Sequence, residues 1–335
     1  MTAAEVRAEG PFFDELQVGD VFDGASGLTL TDGLAALHQA AVGDRLRLGL
    51  DHHLARAVTG QDAPLASPAL VWDVAIGQST SVTHHVVANL FYRGLSLRRT
   101  PVLGDTLRTR TEVVGLRQNS ARPGRPATGL AALRITTTDQ QGRDVLDFWR
   151  CAMLPLRDPG AVTGHADDMA LVGVDAGAVQ DPTREWRTAA FRELHPPSRR
   201  QPPVEAGQVH HVVGGDVVSG APELARLTLN IARAHHDDEA NDAGRLVYGG
   251  HTIGLALSQV ARALPDLMTV LSWDSCDHLG PVREGDTLTS EVVVESVEPV
   301  AHGRHVQLRS RVRARSVPGE TPRDVLDWRF RGLLP

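Results

Sequence analysis

Two stretches of the chain occur twice. "PVLGDTL" (Pro101 to Leu107) returns as "PVREGDTL" (Pro281 to Leu288), which sets Gly104-Asp105 and Gly285-Asp286 181 residues apart. "VLDFWRCAMLP" (Val145 to Pro155) returns as "VLDWRFRGLLP" (Val325 to Pro335) at a separation of 180. Two matches in the same order at nearly one offset point to a duplicated domain, and two copies make a tandem pair rather than a solenoid. The copies are expected over residues 1–156 and 208–335. Residues 157–207 hold "RDPGAVTG" and "HPPSRRQPP", whose proline and glycine read as linker and irregular structure.

Each copy follows one plan. A short strand ending in Gly-Asp ("LQVGDVF"; "HVVGGDVV") leads through a polar motif into a longer helix pattern. In the second copy Ile253, Leu257, Val260 and Leu264 recur at three- and four-residue spacing, the helix period. Runs rich in Val, Thr and Leu with alternating polar positions follow, such as "DTLRTRTEVVGL" and "DTLTSEVVVESV"; they fit antiparallel strands with one wet face. One long helix followed by several consecutive strands suggests an α+β unit in which a sheet wraps a helix.

Composition narrows the function. The formal net charge is −7, and no Arg-rich block appears, which argues against nucleic acid. All 34 basic residues are arginine, so a Schiff-base lysine and a phosphate-loop lysine are excluded. No apolar run reaches the ~18–20 residues of a spanning helix, and the first residues carry no signal pattern. Two cysteines, Cys151 and Cys276, suit a reducing cytoplasm as plain buried residues. Histidine doublets at His52-His53, His84-His85, His210-His211 and His235-His236 are poor metal units, because adjacent side chains diverge. No zinc motif accompanies them, so neither a metal nor another cofactor is expected.

The plan resembles the hotdog fold, and the duplication resembles a double hotdog: two antiparallel sheets, each wrapped around a long helix, packed as a pseudo-dimer. The residues resemble the MaoC-type hydratases of enoyl-CoA thioesters. That family carries G-D-x-N-P-x-H-x-D followed by an I-A-H-G-M turn into the long helix. "GDRLRLGLDHHLA" (Gly43 to Ala55) matches the spacing in copy one, and "NIARAHHD" (Asn230 to Asp237) matches it in copy two. With "RLVYGGH" (Arg245 to His251) downstream, the likeness is greatest to the mesaconyl-CoA hydratase branch.

The resemblance implies water addition to the β-carbon of an α,β-unsaturated thioester. A base takes the water proton, and a backbone N–H at the N-terminus of the long helix meets the developing oxyanion. Copy one keeps the acid at Asp44 but has Gly49 where the histidine belongs and Pro68 at the oxyanion position, and proline has no N–H to offer. Copy two has His235 at the histidine position and Gly250 at the oxyanion position. Asn230 replaces the usual aspartate, so it orients water or carbonyl rather than removing a proton. One working site, in copy two, is therefore expected.

Around it, Gly249 and His251 belong to the turn, and Tyr248 either bonds the thioester or fills space. Arg233 and Arg245 either grip a polar substrate end or pair with Asp237 or Asp238 to brace the motif. The readings are an (R)-specific enoyl-CoA hydratase or 3-hydroxyacyl-CoA dehydratase, a hotdog thioesterase, or a non-catalytic acyl-CoA-binding protein. The expected partner is an acyl-CoA thioester, with a homodimer of double hotdogs possible; no membrane partner is expected.

Overall fold

Alternating burial in the strand runs and burial on all sides of the two long helices set the architecture. The computed structural model describes residues 6–174, 180–196, 202–240 and 244–335. The first half contains β1 (Val21–Phe22), β2 (Leu28–Thr29), α1 (Asp32–Val42), α2 (Arg47–Leu50), α3 (His52–Thr59), α4 (Pro68–Gln78), β3 (Ala88–Leu97), β4 (Thr106–Gln118), β5 (Thr128–Thr138) and β6 (Asp144–Pro155). After α5 (Thr188–Leu194) the second half repeats the plan. It has β7 (Val209–His211), β8 (Asp216–Val217), α6 (Ala221–Leu227), α7 (Gly249–Ala263), β9 (Thr269–His278), β10 (Thr287–Val300), β11 (Gly303–Arg315) and β12 (Arg323–Leu334).

In β4 and β10 buried and accessible residues alternate, so one face covers a helix and the other meets water. The wrapped helices answer in kind. Every residue of α4 is buried, and so is nearly all of α7 from Gly250 to Ala261. A helix apolar on all sides is stable only when it is enclosed.

The sheets of the two halves run on as one antiparallel sheet of twelve strands, as a pseudo-dimer of hotdogs requires. Its main path runs β1-β4-β5-β6-β3-β9-β12-β11-β10-β7. The halves join where β3 pairs with β9, with Tyr92 opposite Cys276 and Ser96 opposite Ser272. Each half would otherwise leave this edge unpaired, so the junction satisfies backbone groups that water or another chain would have to meet.

The two central helices lie against each other beneath that junction. Trp72 of α4 meets Trp273 at 4.9 Å and Trp328 at 6.1 Å between ring centroids, and Phe330 stacks on Trp328 at 3.8 Å. The segment between the halves is more than a connector. Trp186 and Phe191 pack with Leu54 and Val58 of α3. His302 and His305 place Nε2 3.1 and 3.0 Å from the Asp181 carboxylate, tethering the segment to the β10–β11 hairpin. Among the described residues no helix is long and apolar enough to cross a membrane.

Candidate active site

The polar motif of copy two turns sharply before Asn230. Leu229 sits at φ 60°, the one non-glycine residue with positive φ among those described. The counterpart in copy one is Gly43, at φ 64°. An L-residue is strained there by roughly 1–2 kcal/mol, so the backbone must be held. The hold comes from three hydrogen bonds: the Asn230 N–H donates to the Ala225 carbonyl at 2.9 Å, the Ile231 N–H to Thr80 Oγ1 at 2.9 Å, and His236 Nε2 to the Asn230 carbonyl at 2.6 Å.

Asn230 is 3% exposed, and its Oδ1 accepts from the Ala232 N–H at 3.0 Å. That bond fixes the amide orientation and leaves Nδ2 as a donor. Five residues on, His235 ends a 3₁₀ turn (Arg233–His235). Its Nδ1 lies 3.0 Å from the Leu246 carbonyl. A carbonyl only accepts, so Nδ1 carries the proton and Nε2 is a bare acceptor. Desolvation pushes the His235 pKa down to about 4, against which the Leu246 bond works upward; His236 and Arg150 push it further down. The ring is neutral near pH 7.

Asn230 and His235 line a cavity of about 330 Å³ together with Tyr248, Gly249 and His278. The other wall comes from the degenerate half, including Thr80, Tyr92 and Arg150. Neither half alone makes this site. Among the described residues its lining contains no carboxylate.

The start of α7 corrects one expectation. Gly249 is the first helical residue and faces the cavity, whereas Gly250 points away from it. A Cβ on Gly250 would lie 2.0 Å from Asp73 Oδ1, so this glycine permits α4 and α7 to approach. Helix starts also align by the offset of 181: Pro68 opens α4 as Gly249 opens α7. In α4 Ser67 caps the helix by accepting from the Ala69 N–H at 3.2 Å; Tyr248, the residue before α7, gives that helix no side-chain cap. The first N–H groups of an α-helix lack intrahelical acceptors, and Gly249, the first residue of α7, lines the cavity.

Other expected residues fall elsewhere. His251 is fully buried and outside the cavity lining, and its pKa is about 4 through desolvation. The Tyr248 hydroxyl donates to the Asp73 carbonyl at 3.0 Å, so its ring lines the cavity while its oxygen braces α4. Asp73 pairs with His38 at 2.9 Å; both are buried, and burial raises the Asp73 pKa. Arg233 is exposed and pairs with Asp237 at 2.6 Å. Arg245 pairs with Asp238 at 2.9 Å. Neither arginine lines the cavity. They brace the motif.

Sequence reading missed Arg150, Tyr92 and His278. His278 has a pKa near 4 from desolvation, and its Nε2 lacks a hydrogen-bond partner. A signal existed. The offsets place Arg150 opposite Phe330 and His278 opposite Leu97, polar residues in one copy where the other is apolar.

Copy one uses the matching positions differently. Asp44 accepts from the Leu46 N–H at 2.9 Å and from the Ser67 hydroxyl. Its carboxylate now holds the start of α4. The counterparts of the cavity-lining Tyr92 and Arg150 are Trp273 and Phe330, locked in the aromatic cluster with Trp72 and Trp328.

No family model matches the sequence. A conserved hypothetical protein of Mycobacterium tuberculosis with a double hotdog fold is 56% identical, covers 98% of this chain and 99% of its own, and superposes with a TM-score of 0.91. A MaoC domain protein dehydratase from Chloroflexus aurantiacus is 25% identical over 99% of both chains, with a TM-score of 0.83. The chain belongs with the Mycobacterium tuberculosis protein among the double-hotdog proteins, and it is similar to MaoC-type dehydratases over nearly its whole length. Mesaconyl-CoA hydratase of Cereibacter sphaeroides is 29% identical over 299 residues, 87% of this chain and 86% of the relative. The copy-two motif lies in the cavity shared by both halves, and the copy-one residues Asp44, Gly49 and Ser67 line a separate cavity of about 300 Å³.

Proposed function

We propose that the protein hydrates an α,β-unsaturated acyl-CoA thioester to the (R)-3-hydroxyacyl thioester and catalyses the reverse dehydration. One observation carries this reading. A histidine with a bare Nε2 and the uncapped start of a helix face one cavity. His235 Nε2 takes a proton from water as the water oxygen bonds to the β-carbon. The π electrons move to the thioester oxygen, where the Gly249 N–H and the positive end of α7 meet the charge. The proton held by His235 then goes to the α-carbon, and the thioester carbonyl re-forms. Asn230 Nδ2 donates to the water oxygen and aims its lone pair. The absence of a carboxylate from the described lining disfavours a thioesterase, which needs one to direct water at the carbonyl carbon. Mesaconyl-CoA hydratase supports the reaction class as a relative over most of the chain.

The chain is read as cytoplasmic, with both cysteines free and buried. Loss of enoyl absorbance on incubation with crotonyl-CoA and mesaconyl-CoA tests the activity, with free thiol measured in parallel. Coupling to (R)- and (S)-specific 3-hydroxyacyl-CoA dehydrogenases reads the product's hand. Thiol release without hydration would replace this reading with a thioesterase. Neither activity, with acyl-CoA still bound, would leave a binding protein.

A further inference from the structure

Away from the cavity, the segment between the halves brings one carboxylate against two histidines of the β10–β11 hairpin. Asp181 Oδ2, His302 Nε2 and His305 Nε2 all lie within 4.8 Å of one another. Among the described residues no other group of three histidine, cysteine or acidic side chains converges this closely. Both nitrogens aim at the same oxygen, His302 Nε2 at 3.1 Å and His305 Nε2 at 3.0 Å. The side chains of Asp181 and His302 are 11% exposed and that of His305 is 15% exposed, so water competes weakly for them. The other carboxylate oxygen, Oδ1, is already occupied. It accepts from the Thr183 N–H at 2.8 Å and from the Thr183 hydroxyl at 2.5 Å. Those two bonds orient the carboxylate and leave Oδ2 facing the imidazoles.

The surroundings hold this arrangement in place. β10 ends at Val300 and β11 begins at Gly303, so His302 sits in a two-residue turn and His305 on the strand that leaves it. A Cβ on Gly303, at φ 150°, would lie 2.4 Å from the Leu334 carbonyl, so the turn is pressed against β12. On the other side, the Trp186 N–H donates to the Thr183 carbonyl at 2.9 Å, and the Thr188 hydroxyl donates to the His302 carbonyl. Groups fixed in advance lose little freedom on taking a ligand. The spacing also fits a metal polyhedron. Zinc bonded tetrahedrally at ~2.0–2.2 Å keeps its ligand atoms roughly 3.3 Å apart. The 3.0 and 3.1 Å found here differ by only a few tenths of an ångström. Two imidazoles with one carboxylate suit zinc, whereas calcium and magnesium take oxygen ligands. Copy one has no histidine between Gln118 and Thr128, the corresponding turn, so the array belongs to copy two alone.

We propose that Asp181, His302 and His305 form a zinc site, completed by water, that fastens the segment between the halves to the second half. Each Nε2 gives its lone pair to the ion while the ring proton sits on Nδ1, and the hydrogen-bonded Oδ1 keeps Oδ2 directed at the metal. None of the three residues lines the cavity that holds His235, so the ion acts on the fold rather than on the reaction. Beyond Asp181, Trp186 and Phe191 pack with Leu54 and Val58 of α3. A clasp at Asp181 therefore ties packing on the first half to a hairpin of the second. Sequence order conceals it, because Asp181 lies 121 positions before His302.

Calorimetry with zinc chloride on the full chain, stripped beforehand with a chelator, tests this. One ion per chain is expected, with a micromolar or tighter dissociation constant. The melting temperature should rise by roughly 3–5 °C when free zinc is about 100-fold above that constant. Asp181→Asn keeps an acceptor for the rings but loses the charge, and should weaken binding at least about 10-fold. His302→Gln together with His305→Gln should abolish it. In wild type, zinc should also shield His302 and His305 from diethyl pyrocarbonate while the exposed His211 goes on reacting, which reads the site even if a variant does not fold. Failure of wild type to bind zinc overturns the proposal and leaves a hydrogen-bonded cluster. Full binding by the double variant, or unchanged modification of His302 and His305, overturns it too and places the zinc on other histidines.

Discussion

Replacing the two glycines at the start of α7 one at a time separates packing from chemistry. In Gly250→Ala the new methyl would lie 2.0 Å from Asp73 Oδ1 and 2.7 Å from the Tyr248 ring. The carboxylate cannot simply swing away. It holds His38 at 2.9 Å inside the core, and the Asp73 backbone carbonyl holds the Tyr248 hydroxyl at 3.0 Å. Breaking a buried pair of this kind costs about 3–5 kcal/mol, and overpacking that only shifts it costs about 1–3. Helix propensity returns at most about 1 kcal/mol. The net expectation is a loss of about 2–4 kcal/mol and a melting temperature lower by roughly 4–8 °C. In Gly249→Ala the methyl meets His278 Nε2 at 2.8 Å, the edge of an unpartnered ring that can turn. Stability should hold within about 0.5 kcal/mol. The methyl projects into the cavity, so the efficiency kcat/KM on the hydrated substrate should fall about 10–100-fold through misplacement of the thioester. Urea unfolding and hydration kinetics on both variants give the comparison. A stable Gly250→Ala that has lost turnover, beside a fully active Gly249→Ala, would return the oxyanion role to Gly250 and refute the placement argued from the cavity.

The remaining predictions concern the histidines and the number of sites. His235→Gln should lower turnover about 10²–10⁴-fold with butyryl-CoA affinity within a few-fold, and full retained activity would remove His235 as base. Burial holds His235, His251 and His278 at about 4, below the 6.5 of a free imidazole. The unfolded chain therefore binds protons between those values that the folded chain refuses. Stability is fully present above about pH 6.5 and falls as the pH drops toward 4; the raised pKa values of Asp73 and Asp274 oppose this as two groups against three. Urea midpoints at pH 7 and pH 4.5 check the direction, and an unchanged midpoint would count against all three being buried and neutral. Titration with butyryl-CoA should saturate at about one molecule per chain, because copy one has Gly49 and Pro68 where copy two has His235 and the first glycine of α7; two equivalent sites would contradict that.

Duplication, helix period and strand alternation lie along the chain, and they determined the paired helix-wrapping halves. The spacing from Asn230 to His235 is equally local, five residues inside one turn, so its presence in a shared pocket was legible. The missing donor at the start of α4 was legible too, since Pro68 lacks an N–H wherever it is placed. Which of two adjacent glycines faces the ligand was not. That depends on the direction of α7 relative to Asp73, a residue 177 positions before Gly250. Nor did the sequence separate a surface arginine from a buried one. Arg233 and Arg245 lie beside the motif in sequence and turn outward to Asp237 and Asp238, while Arg150 reaches the cavity through the pairing of β6 with β3. Building one wall of the site from the first half was decided by the β3–β9 junction. Local pattern fixes which face of an element is apolar; only packing fixes what that face meets, and the charge and shape of a cavity are properties of the meeting.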